Sequence, residues 1–292
     1  MSCDCPHLFV FGLGFSGLAL GRVLRNAGWR VSGTTRSAKK KTALEAEGFG
    51  AHLFDRGKPM RDAPEILASV THLVASVPPD DRGDPVLGEH GGDMPESLSW
   101  IGYLSTTGVY GNTNGAEVDE ESPLNPTAMR SKRRVSAERA WLGLFESCGM
   151  PVHLFRLAGI YGPGRSAIDT LRAGRARRID KPGHKFSRIH VDDIAGVLQA
   201  SMSRPNPGGV YNVCDDEAEG PAEVIRFAAE LLGLEPPPLL SFEDAKKNMS
   251  PMGLSFWADN RRISNRRLSE ELGYRLKFPT YREGLGALAE KE

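Results

Sequence analysis

Three glycines in the pattern Gly12-x-Gly14-x-x-Gly17 carry the clearest chemistry in the sequence. Bare backbone at this spacing lets an oxyanion approach closely, and the N–H groups heading a following helix can bind it. Gly12 allows a tight turn, Gly14 leaves room for a pyrophosphate, and Gly17 lets a helix pack against the preceding strand. Phe15 and Ser16 head that helix, where the positive end of its dipole lies. A second group, Thr35, Arg36 and Ser37, follows the next apolar run. A site for an unphosphorylated ribose usually places an acid there, yet no acid lies between Val31 and Leu44. The planar guanidinium of Arg36 suits an extra phosphate instead, so the pattern favours NADP over NAD.

The elements needed to position these groups follow from periodicity. Residues 7–11 (HLFVF) read as a strand, LALGRVLRNAG as a helix stopped at Gly28, and WRVSGTT as a second strand. Strand, glycine turn, helix and strand open a dinucleotide-binding βαβ unit. AHLFD (51–55) reads as strand three. THLVASVPP (71–79) reads as a strand covered on both faces. Its end, Ser76, Val77 and Pro78, should lie beside the cofactor, because ligands sit at the carboxyl ends of such strands. Residues 80–97 are expected to form a loop with a short helix, with His90 on the surface. SWIGYLSTTGVYG (99–111) is strand five with a hydroxyl-rich turn, and residues 126–149 form the longest helical pattern. PVHLFRLAGIYGPG (151–164) is strand six. Beyond it the pattern predicts helices at 166–173, 190–202, 221–232 and 265–272, and strands near 185–189 and 208–216.

Composition narrows the partners. The chain has 292 residues, 40% hydrophobic and 25% charged, enough for one large α/β domain or a domain with a smaller companion. Lys+Arg and Asp+Glu both number 37, so no global attraction to nucleic acid or anionic membranes is expected. The basic stretches RARRIDK (175–181) and 130–139 lack interleaved aromatics and read as solvated faces. No basic segment precedes an apolar one at the N-terminus, and the most apolar window (8–21) is broken by glycines. A cytoplasmic protein with no membrane span is expected. Cys3, Cys5, Cys148 and Cys214 do not have disulfide or metal-site spacing; reduced thiols and no metal are expected.

Three further segments resemble the extended short-chain dehydrogenase/reductase superfamily, the branch containing nucleotide-sugar epimerases and dehydratases. They are LSTTGVYG (104–111), RLAGIYGPGR (156–165), and HVDDIAGVLQA (190–200) followed by GGVYNVCDDE. The resemblance spans roughly residues 7–290. It implies a Rossmann-type doubly wound parallel sheet over 6–164, completed by about 187–216. A small substrate-binding region would come from 165–186 and 217–292. It also implies that Ala158, Gly159 and Ile160 approach the cofactor, and that Thr106 stands where the family has its catalytic serine. The expected substrate is a small molecule such as a nucleotide sugar or keto compound, and a homodimer through the helix at 126–149 is a further implication.

The departures matter as much. Family members carry Y-x-x-x-K on the helix after strand five, with an acid four residues beyond the lysine. Aligning that acid with Glu138 puts Arg130 at the tyrosine and Arg134 at the lysine; sliding by one puts Met129 and Arg133 there. Neither register supplies a phenol, and arginine does not release its proton in the working range. Arg134 could still hold the nicotinamide ribose. Tyr110 and Tyr161 are the remaining phenols near the expected site, and His190 reads as structural first. These features resemble the atypical subgroup with G-x-G-x-x-G and no active-site tyrosine. Two functions follow: an NADP-dependent oxidoreductase or sugar-modifying enzyme with a non-standard proton donor, or a non-catalytic, regulatory dinucleotide-binding protein.

Overall fold

The computed structural model describes residues 5–290, so Cys3 lies outside the described residues. In chain order the strands are β1 (His7–Phe11), β2 (Arg30–Thr35), β3 (Gly50–Leu53), β4 (His72–Ala75), β5 (Trp100–Thr106), β6 (Glu117–Val118) and β7 (Val152–Leu157). They continue as β8 (Gly159–Tyr161), β9 (Arg178–Asp180), β10 (Arg188–His190), β11 (Val210–Val213), β12 (Leu239–Ser241) and β13 (Arg262–Ile263). Seven of them form one sheet in the order β11-β7-β5-β4-β1-β2-β3. β1 runs parallel to both β2 and β4, so strand order reverses between β1 and β4. That reversal is the crevice where doubly wound sheets take their ligands.

By internal packing the chain divides into two compact units that interleave along the sequence. One comprises residues up to Thr106 with Lys132–Arg156 and Ile194–Tyr211; the other comprises Thr107–Ser131, Leu157–Asp193 and Asn212 onward.

The first unit is organised by β1, whose five residues are all buried, as a parallel strand covered on both faces must be. The helix Phe15–Asn26 turns Ser16, Gly17, Leu20, Gly21 and Leu24 inward at the three-to-four spacing of one helical face. It ends where Gly28 takes φ +85, a conformation that side chains with a Cβ disfavour. A Cβ on Gly33 would stand 2.4 Å from the Val10 carbonyl oxygen, so close pairing of β1 and β2 demands glycine there. Phe9, Phe11, Leu73, Ile101, Tyr103, Trp141 and Leu154 form the core. Burying one such aromatic contributes on the order of 2–3 kcal/mol.

The expected short helix between strands four and five is Pro85–His90, N-capped by Asp84, whose Oδ1 accepts from the Val86 and Leu87 amides. His90 is not on the surface, however. It is 1% exposed and stacks on Phe11. Its Nε2 accepts from the Met60 amide at 3.1 Å, and its Nδ1 lies 2.8 Å from Asp93 Oδ2. Three nearby polar and aromatic partners outweigh the polar local sequence.

In the second unit β8 pairs with β10, β9 with β12 and β6 with β13, each in parallel. A core of Tyr161, Ile168, Val224, Ala228, Tyr281 and Leu285 holds it together. Here too a sequence reading is corrected. The basic stretch 175–181 is not merely a solvated face, because Arg178–Asp180 is strand β9 and Ile179 is buried between its charged neighbours. Alternation of one apolar residue among charges is too short a signal for a strand whose partner lies some sixty residues away.

Candidate functional site

The glycine turn has the geometry its residues imply. Gly12 adopts φ +83, and a Cβ there would lie 3.3 Å from Val77 Cγ2. Its N–H donates to Thr34 Oγ1 at 2.8 Å, and the Leu13 N–H donates to the Thr34 carbonyl at 2.8 Å. Strand β2 therefore holds the turn in place. A Cβ on Gly17 would come within 2.8 Å of Val10 Cγ1, the close helix–strand approach expected of it. At Gly14 a Cβ would meet only the Gly12 carbonyl, at 3.6 Å. A side chain is therefore excluded from Gly14 by no neighbour in the chain, and the space over it is open. Gly14 caps the helix Phe15–Asn26 with no side-chain hydrogen bond, and the first turn carries no acid. Both features leave the positive helix end available to an anion, so the residues fit a dinucleotide pyrophosphate.

The other predicted contacts of this unit lie at the carboxyl ends of neighbouring strands. Ser76 donates its N–H to the Phe11 carbonyl at 2.9 Å just beyond β4, followed by partly buried Val77 and exposed Pro78. Thr35 ends β2. Ser37 caps the helix Ala38–Ala46, its Oγ accepting from the Lys40 N–H at 3.3 Å. Arg36 is exposed and has no hydrogen-bond or ion-pair partner among the described residues. It is a guanidinium at a strand end with nothing to bind among the described residues.

Thr106 ends β5, and the next residues back are tied to the long helix Met129–Cys148. Arg134 donates through Nη1 to the Leu104 carbonyl and lies 3.3 Å from the Tyr103 hydroxyl. One turn on, Glu138 accepts from Ser105 Oγ at 2.5 Å and from Arg156 Nη2 at 2.9 Å, with Glu138 and Arg156 both buried. It is thus Arg134 that reaches β5. Tyr103 offers no substitute acid, because burial pushes its phenol well above the usual range.

The second unit contains the remaining candidates. Ala158 donates its N–H to the Val213 carbonyl at 3.0 Å, Gly159 donates to the Ser187 carbonyl at 3.1 Å, and Ile160 lies mid-strand in β8. Tyr110 is 1% exposed and donates its hydroxyl proton to Asn212 Oδ1 at 2.7 Å. Its hydroxyl proton is thus already directed at Asn212. Tyr161 is also buried, its ring packed edge-on to His190 at 5.2 Å, and desolvation drives its pKa far up. Arg130 donates to Ser255 Oγ at 2.7 Å and lies over the Phe256 ring at 4.1 Å. Among the described residues, no group of three or more His, Cys, Asp and Glu side chains could hold a metal. No helix there is long and apolar enough to cross a membrane.

Sequence reasoning missed a cleft of about 330 Å³ in the second unit, between β9, the loop 181–185 and the start of the helix Pro221–Leu231. Arg178, Lys181, His184, Glu219, Glu223 and Leu239 are among its walls. Arg178 Nε and His184 Nε2 are buried without a hydrogen-bond partner among the described residues. Burial lowers the His184 pKa to about 4, with Lys181 and Arg261 adding to the effect, so its imidazole is neutral at pH 7. Its ring stacks on Trp257 at 5.5 Å. No local signal marks this cleft, since its walls come from three distant segments.

A parallel sheet with the 3-2-1-4-5 strand order and an open glycine turn at the switch point define a doubly wound fold of the dinucleotide-binding type. No protein-family model matches the chain. A functionally unknown conserved protein from Silicibacter pomeroyi is 48% identical with a TM-score of 0.88, covering 98% of this chain and 99% of that one. A putative NAD-dependent epimerase/dehydratase from Methylobacillus flagellatus is 26% identical with a TM-score of 0.71, covering 99% of both chains. Protein YeeZ of Escherichia coli K12 is 27% identical over 288 residues, 92% of this chain and 95% of its own. Its homologues and structural neighbours include NAD-dependent epimerase/dehydratase-like proteins, to which the chain is similar in sequence and fold.

Proposed function

We propose that this protein is an NADP-preferring enzyme acting on a nucleotide sugar or related keto compound, with a proton donor other than the family's tyrosine. The observation that carries the reading is the open backbone over Gly14 at an uncapped helix start, flanked by an unpaired Arg36. Gly12, Gly14 and Gly17 with Phe15 and Ser16 would hold the pyrophosphate. Thr35, Arg36 and Ser37 would hold the adenosine ribose and its phosphate. Ser76, Val77 and Pro78 would line the remainder. The dTDP-glucose 4,6-dehydratase of Bacillus anthracis, of the same fold, was solved with NAD, and MoeE5 with UDP-glucose and NAD. Those structures support a nicotinamide dinucleotide here and a nucleotide sugar as the class of substrate to try first.

A bound nicotinamide dinucleotide supplies hydride acceptance or donation. The chain's own residues supply position and charge. Thr106 would orient a carbonyl with its hydroxyl. Arg134, anchored on the Leu104 carbonyl, would hold a ribose and place positive charge near a developing oxyanion. It does not deliver the proton. The cleft beside β9 is by itself a candidate site for a polar substrate group, which would satisfy Arg178 Nε and His184 Nε2.

A second reading, dinucleotide binding without catalysis, is favoured by one observation. Tyr110 and Tyr161 are buried, and Arg130, which stands at the family tyrosine in one of the two registers, is engaged by Ser255 and Phe256. Titrating NADPH and NADH by fluorescence and then following NADPH consumption with keto-sugars and UDP-glucose tests both. Binding with turnover supports the enzyme, binding with none across the panel supports the second reading, and no binding of either cofactor overturns both.

A further inference from the structure

The second unit holds a buried polar cluster for which the dinucleotide site has no use. Asp215, just after β11, is 3% exposed, yet among the described residues neither of its carboxylate oxygens has a hydrogen-bond partner. The hydroxyls of Tyr161 on β8 and Tyr281 on the C-terminal helix Tyr281–Glu290 are likewise buried and unpartnered. The cation facing them is Arg188 on β10, which interacts with Asp215, Tyr161 and Tyr281. Asp216 and Glu217, on the loop that carries Asp215, add negative charge.

Arg188 is occupied elsewhere. Its Nη1 donates to the Phe186 carbonyl at 2.7 Å and to the Glu219 carbonyl at 2.8 Å. Those two residues face each other across an antiparallel bridge, with both N–H to carbonyl distances at 3.2 Å. Glu219 lines the cleft, and Phe186 packs edge-on to His184 at 4.7 Å. Arg188 is therefore a staple behind the cleft wall. The Asp215 N–H donates to the Arg188 carbonyl at 2.7 Å, so the two backbones are tied while the two side chains remain apart.

A guanidinium beside a carboxylate ordinarily closes a short charge-assisted pair. Here it does not, which is the arrangement expected of a neutral carboxylic acid. We propose that Asp215 is a proton-operated lock on the cleft wall: protonated, it leaves Arg188 on the Phe186 and Glu219 carbonyls; ionised, it draws the guanidinium off them and slackens the wall. Desolvation raises the Asp215 carboxyl to about 8 against the attraction of Arg188, with repulsion from Asp216 and Glu217 adding to the rise. Burial pushes Tyr281 up to about 12 and Tyr161 further still, so neither phenol titrates alongside it. On ionisation one proton passes to solvent and no covalent bond changes. Only the consequence for substrate rests on reading the cleft as the substrate site.

The test separates the two. Amide signals of Phe186 and Glu219 followed by NMR from pH 6 to 10 should move together in a one-proton step near 8 in the wild type. Asp215→Asn, which cannot ionise, should hold the low-pH positions throughout. A step that persists in Asp215→Asn, or is missing from the wild type, overturns the lock. If that variant does not fold, the side-chain carboxyl carbon of Asp215 in the wild type decides, and titration in the ordinary carboxylate range overturns the proposal. UDP-glucose affinity of the NADP-loaded wild type should fall on the order of tenfold from pH 8.5 to 9.5 and stay level in Asp215→Asn. A normal NMR step with no UDP-glucose binding at any pH leaves the lock supported and the substrate reading refuted.

Discussion

Glu138 and Arg156 form a buried ion pair, Arg156 Nη2 lying 2.9 Å from Glu138 Oε2, and the same carboxylate accepts from Ser105 Oγ at 2.5 Å. The pair ties the long helix to β5 and β7 immediately before their carboxyl ends. Removing one partner strands the other charge in the interior, which costs about 3–5 kcal/mol. Glu138→Ala should therefore lower stability by that order in urea unfolding, and Glu138→Gln should cost less. A change under about 1 kcal/mol would show that the pair is not the tie.

The glycine turn permits a sharper test because Gly12 combines positive φ with close neighbours. Gly12→Ala strains the backbone by about 1–2 kcal/mol and places a methyl 3.3 Å from Val77. Dinucleotide affinity should fall more than tenfold while the circular dichroism spectrum is retained. An unchanged affinity by nicotinamide fluorescence would remove the turn from the site.

Arg36 is expected to choose the cofactor. Arg36→Ala should weaken NADP on the order of tenfold to a hundredfold, the usual worth of a hydrogen bond to a charged group, and leave NAD within about twofold. Equal losses for both, measured by competitive titration, would show that Arg36 does not hold the phosphate.

Tyr110 distinguishes a structural from a catalytic phenol. Tyr110→Phe removes the donor to Asn212 and should cost roughly 1–3 kcal/mol of stability with turnover unchanged. Loss of turnover at unchanged stability would identify Tyr110 as the missing acid.

Three histidines of the first unit set its acid limit. Burial lowers His7, His72 and His153 from 6.5 to about 4, with Arg30 contributing at His7. The unfolded chain takes up these protons near 6.5, whereas the folded chain keeps the rings neutral. Their stabilisation is therefore complete above about pH 6.5 and is lost as pH falls toward 4. For the fully buried His153 this is worth on the order of 3 kcal/mol. Urea midpoints should drop steadily from pH 7 to 4.5, less so in His153→Gln; stability that rises on acidification would refute the assignment.

Local chemistry made the glycine turn and its helix legible in the sequence alone. Gly12, Gly14 and Gly17 act through backbone within one turn, Gly28 ends its own helix, and Arg36 follows directly on β2, so their meaning travels with their neighbours in the chain. The long helix and the lack of a phenol in either register of its first turns were visible for the same reason. Tertiary structure decided what depends on distant partners. His90 is buried because Phe11, Met60 and Phe54 converge on it. Tyr110 is occupied because Asn212 comes to meet it from 102 residues away. The cleft beside β9 and the unpaired Asp215 exist only where three or more segments meet. Spacing along a chain determines how a backbone turns; burial and the charge of an opposing side chain are properties of packing, and those decided which of the candidate groups are buried, paired or open.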